Sequence, residues 1–458
     1  MQSGKDLIHT TRRLPGGAEV FVLNTGAVIG AESEAMLQAL HSRSVGGLRA
    51  HLEKLWKSGP EKFMSLFYVG YGHKSIGDCA STTLFIEGVS MLVAKAIQDF
   101  MLYNGQEAST RYIDFATQRF IDPEGTQHSK WLLERWRQRY LQGLGIVQHN
   151  LVRQHPRQEG EKEDVYEKAI KARSFDIMRG FLPAGAATNL AWHGELRHIA
   201  DHLDRLRHHP LAEVREVAEA LEDALNEKYP SSFQKKRYPD TEDYVEFWMK
   251  QAYYYEVPGS NSHDVVGTFS GFDKDMLFKH RELLVRRPKQ TELPKFLAEC
   301  GTMRFNYLLD FGSFRDDQRH RAVAQRMPLL TTHHGFSPWY LSQLPDDYRD
   351  EIDPFLVQQM GYVKNLLRND FVRQYYCPMG AMVPCQKVGD LPAMTYFVER
   401  RARMDVHPTM RRVAQQSGTL MLDALGDLGL HLYMETEGDR FYYKRGEQDI
   451  TERPAASA

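Results

Sequence analysis

The spacing of apolar residues along the chain predicts a largely helical protein with a few strands. Apolar positions recur at helical intervals through residues 31–58 and again through 166–228. Near the N-terminus, Val20 and Val22 alternate with other side chains ahead of a Thr-Gly turn, which predicts a strand. The segment 84–97 is apolar with few breaks, and we expect it to form a buried helix.

A polar cluster follows that apolar segment, with the sequence Asn-Gly-Gln-Glu-Ala-Ser-Thr-Arg over residues 104–111. A serine and an arginine next to a glycine-containing turn can form an anion pocket. Ser109 can donate one hydrogen bond, and Arg111 can hold a phosphate through two parallel bonds. The alternative, a polar cap at the end of a helix, fits this cluster equally well.

Two further groups of basic residues are candidates for ligand binding. Arg215 lies beside the apolar face of its helix and can point into a neighbouring cleft, although a surface position fits the spacing better. Arg319, His320 and Arg321 place two fixed positive charges and one titratable ring in three positions. Such a triplet suits a pyrophosphate or the edge of a flavin ring, and its ordinary alternative is a basic surface patch.

Composition narrows the class of protein. The chain has 458 residues, which is long enough for two or three domains, and its net charge of −2 makes no case for nucleic acid or membranes. The four cysteines form no Cys-x-x-Cys pair, so we expect structural thiols and no metal site. With no secretory signal and no long apolar run, we expect a cytoplasmic protein.

The second half of the chain echoes the first. Pro-Met-Gly-Ala at 378–381 corresponds to Pro-Ala-Gly-Ala at 183–186, 195 residues earlier. Arg411 likewise corresponds to Arg215, 196 residues earlier, and each of these arginines is followed two positions later by Val-Ala. A repeat of this size indicates a duplicated domain. We therefore predict one copy at 1–228 and another at 263–458, joined by a linker at 229–262 rich in Pro, Ser, Lys and Tyr.

Two motifs in the first copy resemble the central motif of the flavin-dependent thymidylate synthases. Gly-His-Lys-Ser at 72–75 is similar to that family's Gly-His-x-Ser/Thr, and Ser-Thr-Arg-Tyr at 109–112 to its Ser-x-Arg-Tyr. The family's Arg-His-Arg run is replaced here by Asp-Phe-Met at 99–101. An Arg-His-Arg triplet occurs instead in the second copy, at 319–321, so the two copies together hold one nearly full set of motifs.

The resemblance continues toward residue 220. After a Leu-Pro turn the family carries Thr-x-x-x-Trp, Asn-x-Arg and Ala-x-x-x-Arg, and Thr188, Trp192, Arg197 and Arg215 keep those positions. Glu195 stands where the family has Asn. Residues 65–220 therefore resemble the family throughout, with some losses in the region that lines its pocket.

The resemblance implies a fold, an activity and a set of contacts. Each copy is expected to be α+β, with an antiparallel sheet packed by long helices. The implied reaction is C5 methylation of a pyrimidine nucleotide such as dUMP, with FAD relaying a one-carbon unit from methylenetetrahydrofolate and NADPH reducing the flavin. The implied contacts are Gln106, Ser109, Arg111 and Arg197 for the nucleotide, Glu107 and Arg215 for catalysis, and His73, Ser75, Arg319, His320 and Arg321 for FAD.

Family sites are built from several subunits of a homotetramer. For a two-copy chain the resemblance therefore implies a homodimer, a pseudo-tetramer of four copies, with each copy free to lose motifs that another supplies.

Several alternatives stay open at this level. The substrate can equally be deoxycytidylate, a ribonucleotide or a modified uridylate, and the transferred group can be hydroxymethyl. The split motifs also fit a non-catalytic nucleotide- or flavin-binding protein. Basic residues at 205–209 and 400–403 suggest an RNA-modifying flavoenzyme, which the nearly neutral net charge disfavours.

Overall fold

The computed structural model describes residues 8–23, 30–41, 47–61, 64, 78–110, 113–233, 236–256, 263–366 and 369–435. In chain order the α-helices are α1 (Ala31–His41), α2 (Gly47–Ser58), α3 (Met91–Gln98), α4 (Gln127–Gln154), α5 (Glu163–Met178), α6 (Leu196–Leu206), α7 (Ala212–Lys228), α8 (Pro230–Phe233), α9 (Pro239–Ala252), α10 (Lys274–Lys279), α11 (Arg281–Arg286), α12 (Phe311–Asp317), α13 (Pro338–Ser342), α14 (Asp346–Leu366), α15 (Asp370–Arg373), α16 (Leu391–Arg401) and α17 (Pro408–Leu425).

The strands are β1 (Ile8–Arg13), β2 (Glu19–Leu23), β3 (Ser81–Ser90), β4 (Asn104–Glu107), β5 (Ala187–Glu195), β6 (Tyr254–Tyr255), β7 (Val266–Ser270), β8 (Thr302–Asp310), β9 (Ala324–Gln325), β10 (Met327–Pro328) and β11 (Met382–Asp390). Short 3₁₀ turns occur at Arg179–Phe181, Lys295–Cys300, Gln374–Tyr376 and Gly426–Leu428. Helices combined with antiparallel sheets confirm the predicted α+β class.

The chain forms two compact units. The first unit comprises Met1–Ser109, Gln118–Ile121 and Gly185–Tyr253, and the second comprises Thr110–Thr117, Asp122–Ala184 and Tyr254–Ala458. The predicted copies at 1–228 and 263–458 describe a repeat in the sequence, whereas the compact units divide the chain differently. Helices α4 and α5 precede residue 228 but belong to the second unit, because α4 packs against α5 and α14 there.

The sheet of the first unit has the antiparallel order β1-β2-β3-β5-β4. Strand β3 alternates buried and partly exposed residues from Ser81 to Glu87, as a strand with one face on the core requires. Its register against β5 shifts between Ile86 and Val89, and Gly88 takes the positive φ of 67° within this bulge.

This strand corrects the prediction of one buried helix over residues 84–97. The chain is extended up to Ser90, whose side chain accepts a hydrogen bond from the Val93 amide and so begins helix α3. Only α3 is helical, and all eight of its residues are buried. A continuous apolar run looks alike as a buried strand or a buried helix, and here the alternation of Thr82, Leu84 and Ile86 decided for the strand.

The second unit contains a sheet of order β7-β8-β11-β9 and a parallel pair, β10-β6. Strand β8 pairs along its whole length with β11, from Thr302 opposite Asp390 to Asp310 opposite Met382. Asp310 then caps α12 by accepting the Ser313 amide, so this strand also passes directly into a helix.

The segment predicted as a linker, 229–262, is partly helical. It contains α8 and α9, and α9 has Pro239 at its first position, where proline suits a helix start. Met249 is the only buried residue of α9. Within the described residues, no helix is long and apolar enough to span a bilayer.

Candidate functional site

The polar cluster at 104–111 lies at the edge of the first unit's sheet. Residues 104–107 form β4, which pairs with β5 alone among the described strands. Gln106 and Ser109 are exposed, whereas Glu107 is buried. Gln106 and Glu107 are neighbours in the strand, so their side chains point to opposite faces of the sheet. Arg111, His73 and Ser75 lie outside the described residues.

Glu107 belongs to a buried polar group beneath β4. Its carboxylate lies 2.8 Å from the Lys95 Nζ atom of α3 and accepts a 2.9 Å hydrogen bond from the Gln98 amide. Lys95 also donates to the Gln98 carbonyl oxygen at 2.7 Å. The lysine and glutamate side chains are 0% and 1% exposed, so each charge depends on the other for compensation. In this arrangement Glu107 anchors β4 to α3.

Arg197 lies at the start of α6 and holds the segment before β3. Its guanidinium contacts both carboxylate oxygens of Asp78, one of them at 2.8 Å. His198 stands next to it and donates to Glu195 at 2.8 Å. Partial burial raises the pKa of Glu195, but hydrogen bonds from its own backbone and from His198 outweigh this and lower it. Asp78 and Arg197 remain about one-third exposed, so solvent reaches this pair.

Arg215 closes the connection between α6 and α7. Its Nη1 atom donates to the carbonyl oxygens of His209 at 2.6 Å and Pro210 at 3.1 Å. The sequence spacing allowed Arg215 to point into a neighbouring cleft and fitted a surface position better, whereas the structure turns its side chain back onto its own loop. The cause is local: the loop carbonyls preceding a helix have no partner within the helix, and an arginine one turn along can reach them.

A cluster that the sequence analysis did not single out surrounds Arg207. Its side chain is 7% exposed and contacts Asp204, Glu222 and both oxygens of Glu242. Burial lowers the pKa of Arg207, but these carboxylates outweigh it and raise the pKa. His208 adds a 2.9 Å bond to Glu242. The sequence signal was the basic run at 205–209, which was considered only as an RNA contact.

The Arg-His-Arg triplet follows α12 in the second unit. His320 is 4% exposed, donates from Nε2 to the Ala393 carbonyl oxygen at 2.9 Å, and stacks on Tyr396 with ring centroids 5.4 Å apart. Burial, assisted by the Lys387 charge, lowers the pKa of His320 to about 3. The imidazole is therefore a neutral anchor between α12 and α16, and its predicted contact with FAD stays a prediction.

The two arginines of the triplet differ from the histidine. Arg319 is exposed, with its Nε atom 3.9 Å from Asp316, a loose surface contact. Arg321 is partly exposed. Burial raises the pKa of Asp316, but the charges of Arg401 and Arg319 outweigh this and lower it. The triplet thus presents guanidinium groups at a surface fixed by a buried histidine.

Within each unit the structure brings some of the predicted residues together. Gln106, Glu107 and Ser109 share one strand edge in the first unit, and Arg319, His320 and Arg321 share one turn in the second. Among the described residues, no group of histidine, cysteine and carboxylate side chains could hold a metal ion.

Comparison with known proteins shows what this α+β chain is similar to. A family model described as "Thymidylate synthase complementing protein" matches residues 32–231. This region includes both motifs of the first copy, and the similarity to that family covers less than half of the chain.

The similarity to individual relatives extends further along the chain. A UPF0159 protein of Chlamydia pneumoniae is 24% identical over 82% of this chain and 84% of its own length. One from Chlamydia muridarum has the same identity and coverage, and one from Thermoplasma acidophilum is 21% identical over 77% of this chain and 84% of its own length. These relatives therefore match a region much longer than the family model covers.

Proposed function

We propose that this protein transfers a one-carbon unit to C5 of a pyrimidine nucleotide with FAD as its cofactor. The family match over residues 32–231 is the observation that carries the proposal. The motifs at 72–75 and 109–112 fall inside the matched region. Methylenetetrahydrofolate as the donor and NADPH as the reductant follow from the family resemblance alone.

The proposal includes a tandem duplication, which the order of elements supports. In the first half, strand β3 leads into the capped helix α3, and the later strand β5 pairs with β3 and leads into α6 and α7. In the second half, β8 leads into the capped helix α12, and β11 pairs with β8 and leads into α16 and α17. The registers agree as well, because Ser90 lies opposite Ala187 as Asp310 lies opposite Met382. Asp310 follows Ser90 by 220 residues, and Met382 follows Ala187 by 195.

Backbone pairing within the second unit adds independent support. Pro183 and Pro378, which occupy equivalent positions of the two repeats, form an antiparallel bridge with each other. The Ala184 amide donates to the Cys377 carbonyl at 2.9 Å, and the Met379 amide donates to Leu182 at 2.8 Å. Ala184 is equivalent to Met379 and Leu182 to Cys377, so each repeat donates the same bond to the other. An isologous contact of a two-fold dimer has this reciprocal pattern. A fused dimer of ancestral copies explains this reciprocity.

For the nucleotide we propose the exposed edge of β4. Gln106 and Ser109 offer polar groups there, and Arg111 follows in the chain as the phosphate ligand implied by the family resemblance. Glu107 and Arg215 would act as positioning residues, one fixing β4 and the other the α6–α7 loop, because both are engaged with protein atoms. Arg197 would bind either ligand at its partly exposed face.

For FAD the residues of the triplet fit in part. The guanidiniums of Arg319 and Arg321 suit the pyrophosphate, and His320 would hold their turn in place through Ala393. Bound flavin would supply the redox and one-carbon relay chemistry that amino-acid side chains lack. The chain's own part is to bind and orient the cofactor and the nucleotide. His73 and Ser75 complete this FAD set by family resemblance.

The first test is the visible absorbance spectrum of the purified protein, before and after addition of FAD and dialysis. A retained flavin band supports the proposal, and titrations of dUMP and dCMP against that band then identify the nucleotide. Arg111→Ala should weaken nucleotide binding by about 2 kcal/mol through loss of a charge-assisted bond. Arg349→Ala, which removes a surface arginine of α14, is the matched control. A protein that refuses FAD under all conditions would be a nucleotide-binding or scaffold protein instead.

A further inference from the structure

The second unit contains a cavity of about 460 Å³ between α16 and the segment 287–293. Thr395, Tyr396, Arg400 and Arg403 line it from the side of α16, and Tyr433 closes one end. A volume in this range suits a small organic ligand. None of the residues to which the proposed function assigns a ligand lines this cavity.

Tyr396 provides a flat wall that is held rigidly. Tyr396 is 45% exposed. Its ring stacks on the ring of buried His320, with centroids 5.4 Å apart and the ring planes 21° apart. An exposed aromatic ring fixed from behind gives a stacking surface at little entropic cost, because it does not have to be immobilised on binding. The cavity wall therefore suits a planar ring.

Thr395, in the wall of the cavity, has an unsatisfied polar group. The residue is 2% exposed, and its hydroxyl has no hydrogen-bond partner among the described residues. A buried hydroxyl left without a partner destabilises a protein by about 1–3 kcal/mol. The oxygen itself has almost no surface open to the cavity, so it does not contribute a contact to a ligand there.

Four cations line the cavity together with three carboxylates, Glu292, Glu399 and Glu435. Arg287 is neutralised by Glu399, which accepts a 3.0 Å bond from it, but Arg400 is exposed. Lys289 is 59% exposed and only loosely paired, with its Nζ atom 3.8 Å from Glu435. Next to Lys289, Gln290 has a φ of 65°, and it is the sole non-glycine residue in the described ranges with positive φ. Backbone held in this region is sparsely populated and concentrates at ligand sites.

We propose that this cavity binds a planar heteroaromatic ring that carries an anionic chain. The ring stacks on Tyr396, and the anionic chain meets Arg400 and Lys289. Nucleotides and folates share this chemistry.

The test is isothermal titration calorimetry on the full-length protein with three separate probes: dUMP, ADP and folinic acid. Inorganic phosphate is a fourth probe that has the charge without the ring. We expect one of the ring-bearing probes to bind, with Tyr396→Ala and Arg400→Ala each weakening that binding about tenfold or more. Phosphate alone should bind at least about tenfold more weakly than the best ring probe, because it cannot stack. The preferred probe distinguishes a nucleotide from a folate.

Two further variants serve as controls. Arg286→Ala removes an equal charge from the neighbouring surface, where Arg286 pairs with Glu282, and should leave binding unchanged. Thr395→Val keeps the shape of the side chain and removes an unsatisfied hydroxyl. It should therefore raise the melting temperature of the free protein and leave ligand binding unchanged.

The outcomes separate this cavity from the proposed nucleotide site. Binding that is lost in Tyr396→Ala but kept in Arg111→Ala supports the cavity. Binding that is lost in Arg111→Ala and unaffected by Tyr396→Ala and Arg400→Ala overturns the cavity and leaves the proposed function standing. Absence of binding by all three ring-bearing probes also overturns it.

Discussion

Phe100 stacks on His202 in the first unit, with ring centroids 4.5 Å apart and planes within 6° of each other. His202 donates to the Ile97 carbonyl at 3.0 Å. In the second unit His320 packs against Phe397 at 5.2 Å and donates to Ala393. His320 follows Phe100 by 220 residues and Phe397 follows His202 by 195, the same offsets that relate Asp310 to Ser90 and Met382 to Ala187. Under the proposed duplication, histidine and phenylalanine have therefore exchanged places.

Three buried histidines make the stability of the protein sensitive to acid. Burial lowers the pKa of His202 to about 3, and the same cause lowers the pKa of His320 and of His209 to about 3. In the unfolded chain a histidine titrates near 6.5, so between these values the unfolded state binds more protons. Stability is therefore complete above about pH 6.5 and falls as the pH decreases, by about 2 kcal/mol per histidine at pH 5.

Urea unfolding at pH 8 and pH 5 measures this loss. The variant His202→Gln should be less stable at pH 8, because it loses the stack on Phe100, but its stability should decrease less between the two pH values. His149→Gln changes an exposed histidine of α4 and should keep the wild-type difference. An undiminished difference in His202→Gln would show that this ring is protonated equally in both states.

The pair of Lys95 and Glu107 should be costly to break on one side. Lys95→Met leaves the Glu107 carboxylate buried without its counter-ion, and we expect a loss of about 3 kcal/mol or more in the free energy of unfolding. The double variant Lys95→Met/Glu107→Leu removes both charges and should recover most of that loss. Denaturant unfolding of the three proteins provides the measurement.

A surface pair gives the matched control for this lysine. Lys250 pairs with Glu246 on α9, with side chains 61% and 45% exposed, so Lys250→Met should cost less than about 1 kcal/mol. If Lys95→Met were as mild as Lys250→Met, Glu107 would have to be reached by water or neutralised, and its role as a buried anchor would be wrong.

The sequence predicted the fold class and the family better than the local structure. The α+β class followed from the family motifs, and these are short stretches whose chemistry is independent of their surroundings. The segment 84–97 was misassigned as one helix because buried strands and buried helices have equally apolar sequences. The α4–α5 segment was assigned to the first copy by position, since nothing local in a sequence reports which distant helix it will pack against.

The site residues were predicted by type rather than by contact. Arg215, Glu107 and His320 have the chemistry of ligand-binding groups, but each is engaged with protein atoms in this structure. Whether an arginine meets a loop carbonyl or a ligand depends on distances of a few ångströms that tertiary packing sets. Gln106 and Ser109 are exposed, and their contact with a nucleotide stays a prediction.

The four cysteines should differ sharply in reactivity. Burial raises the pKa of Cys377 to about 12, and the same cause raises the pKa of Cys385 and Cys300. Because the thiolate is the reactive form, these three should resist a thiol reagent at pH 8 in the native protein. Cys79 is only half-buried, so we expect about one fast-reacting thiol per chain. Cys79→Ser should abolish that fast phase, and a remaining fast phase would place another cysteine at the surface.

Gly380 tests the reciprocal pairing of the two repeats. A Cβ atom there would lie 2.4 and 2.5 Å from ring atoms of Phe336 and 3.0 Å from the Gly180 carbonyl oxygen. The Phe336 ring is itself packed by Phe181 and Tyr340 and has little room to move. Gly380→Ala should therefore destabilise the protein by about 1–3 kcal/mol.

A second glycine separates this clash from a general effect of glycine replacement. Gly361 lies in α14 with no atom within 4 Å of a built Cβ, so Gly361→Ala should stabilise the protein by about 0.5–1 kcal/mol. Opposite signs for the two changes, measured by denaturant unfolding, would show that the Gly380 backbone lies tightly against Gly180, as the reciprocal hydrogen bonds require. A neutral or stabilising effect of Gly380→Ala would mean that the turns at Gly180 and Gly380 are not packed together in solution. Their reciprocal pairing would then not support a fused dimer.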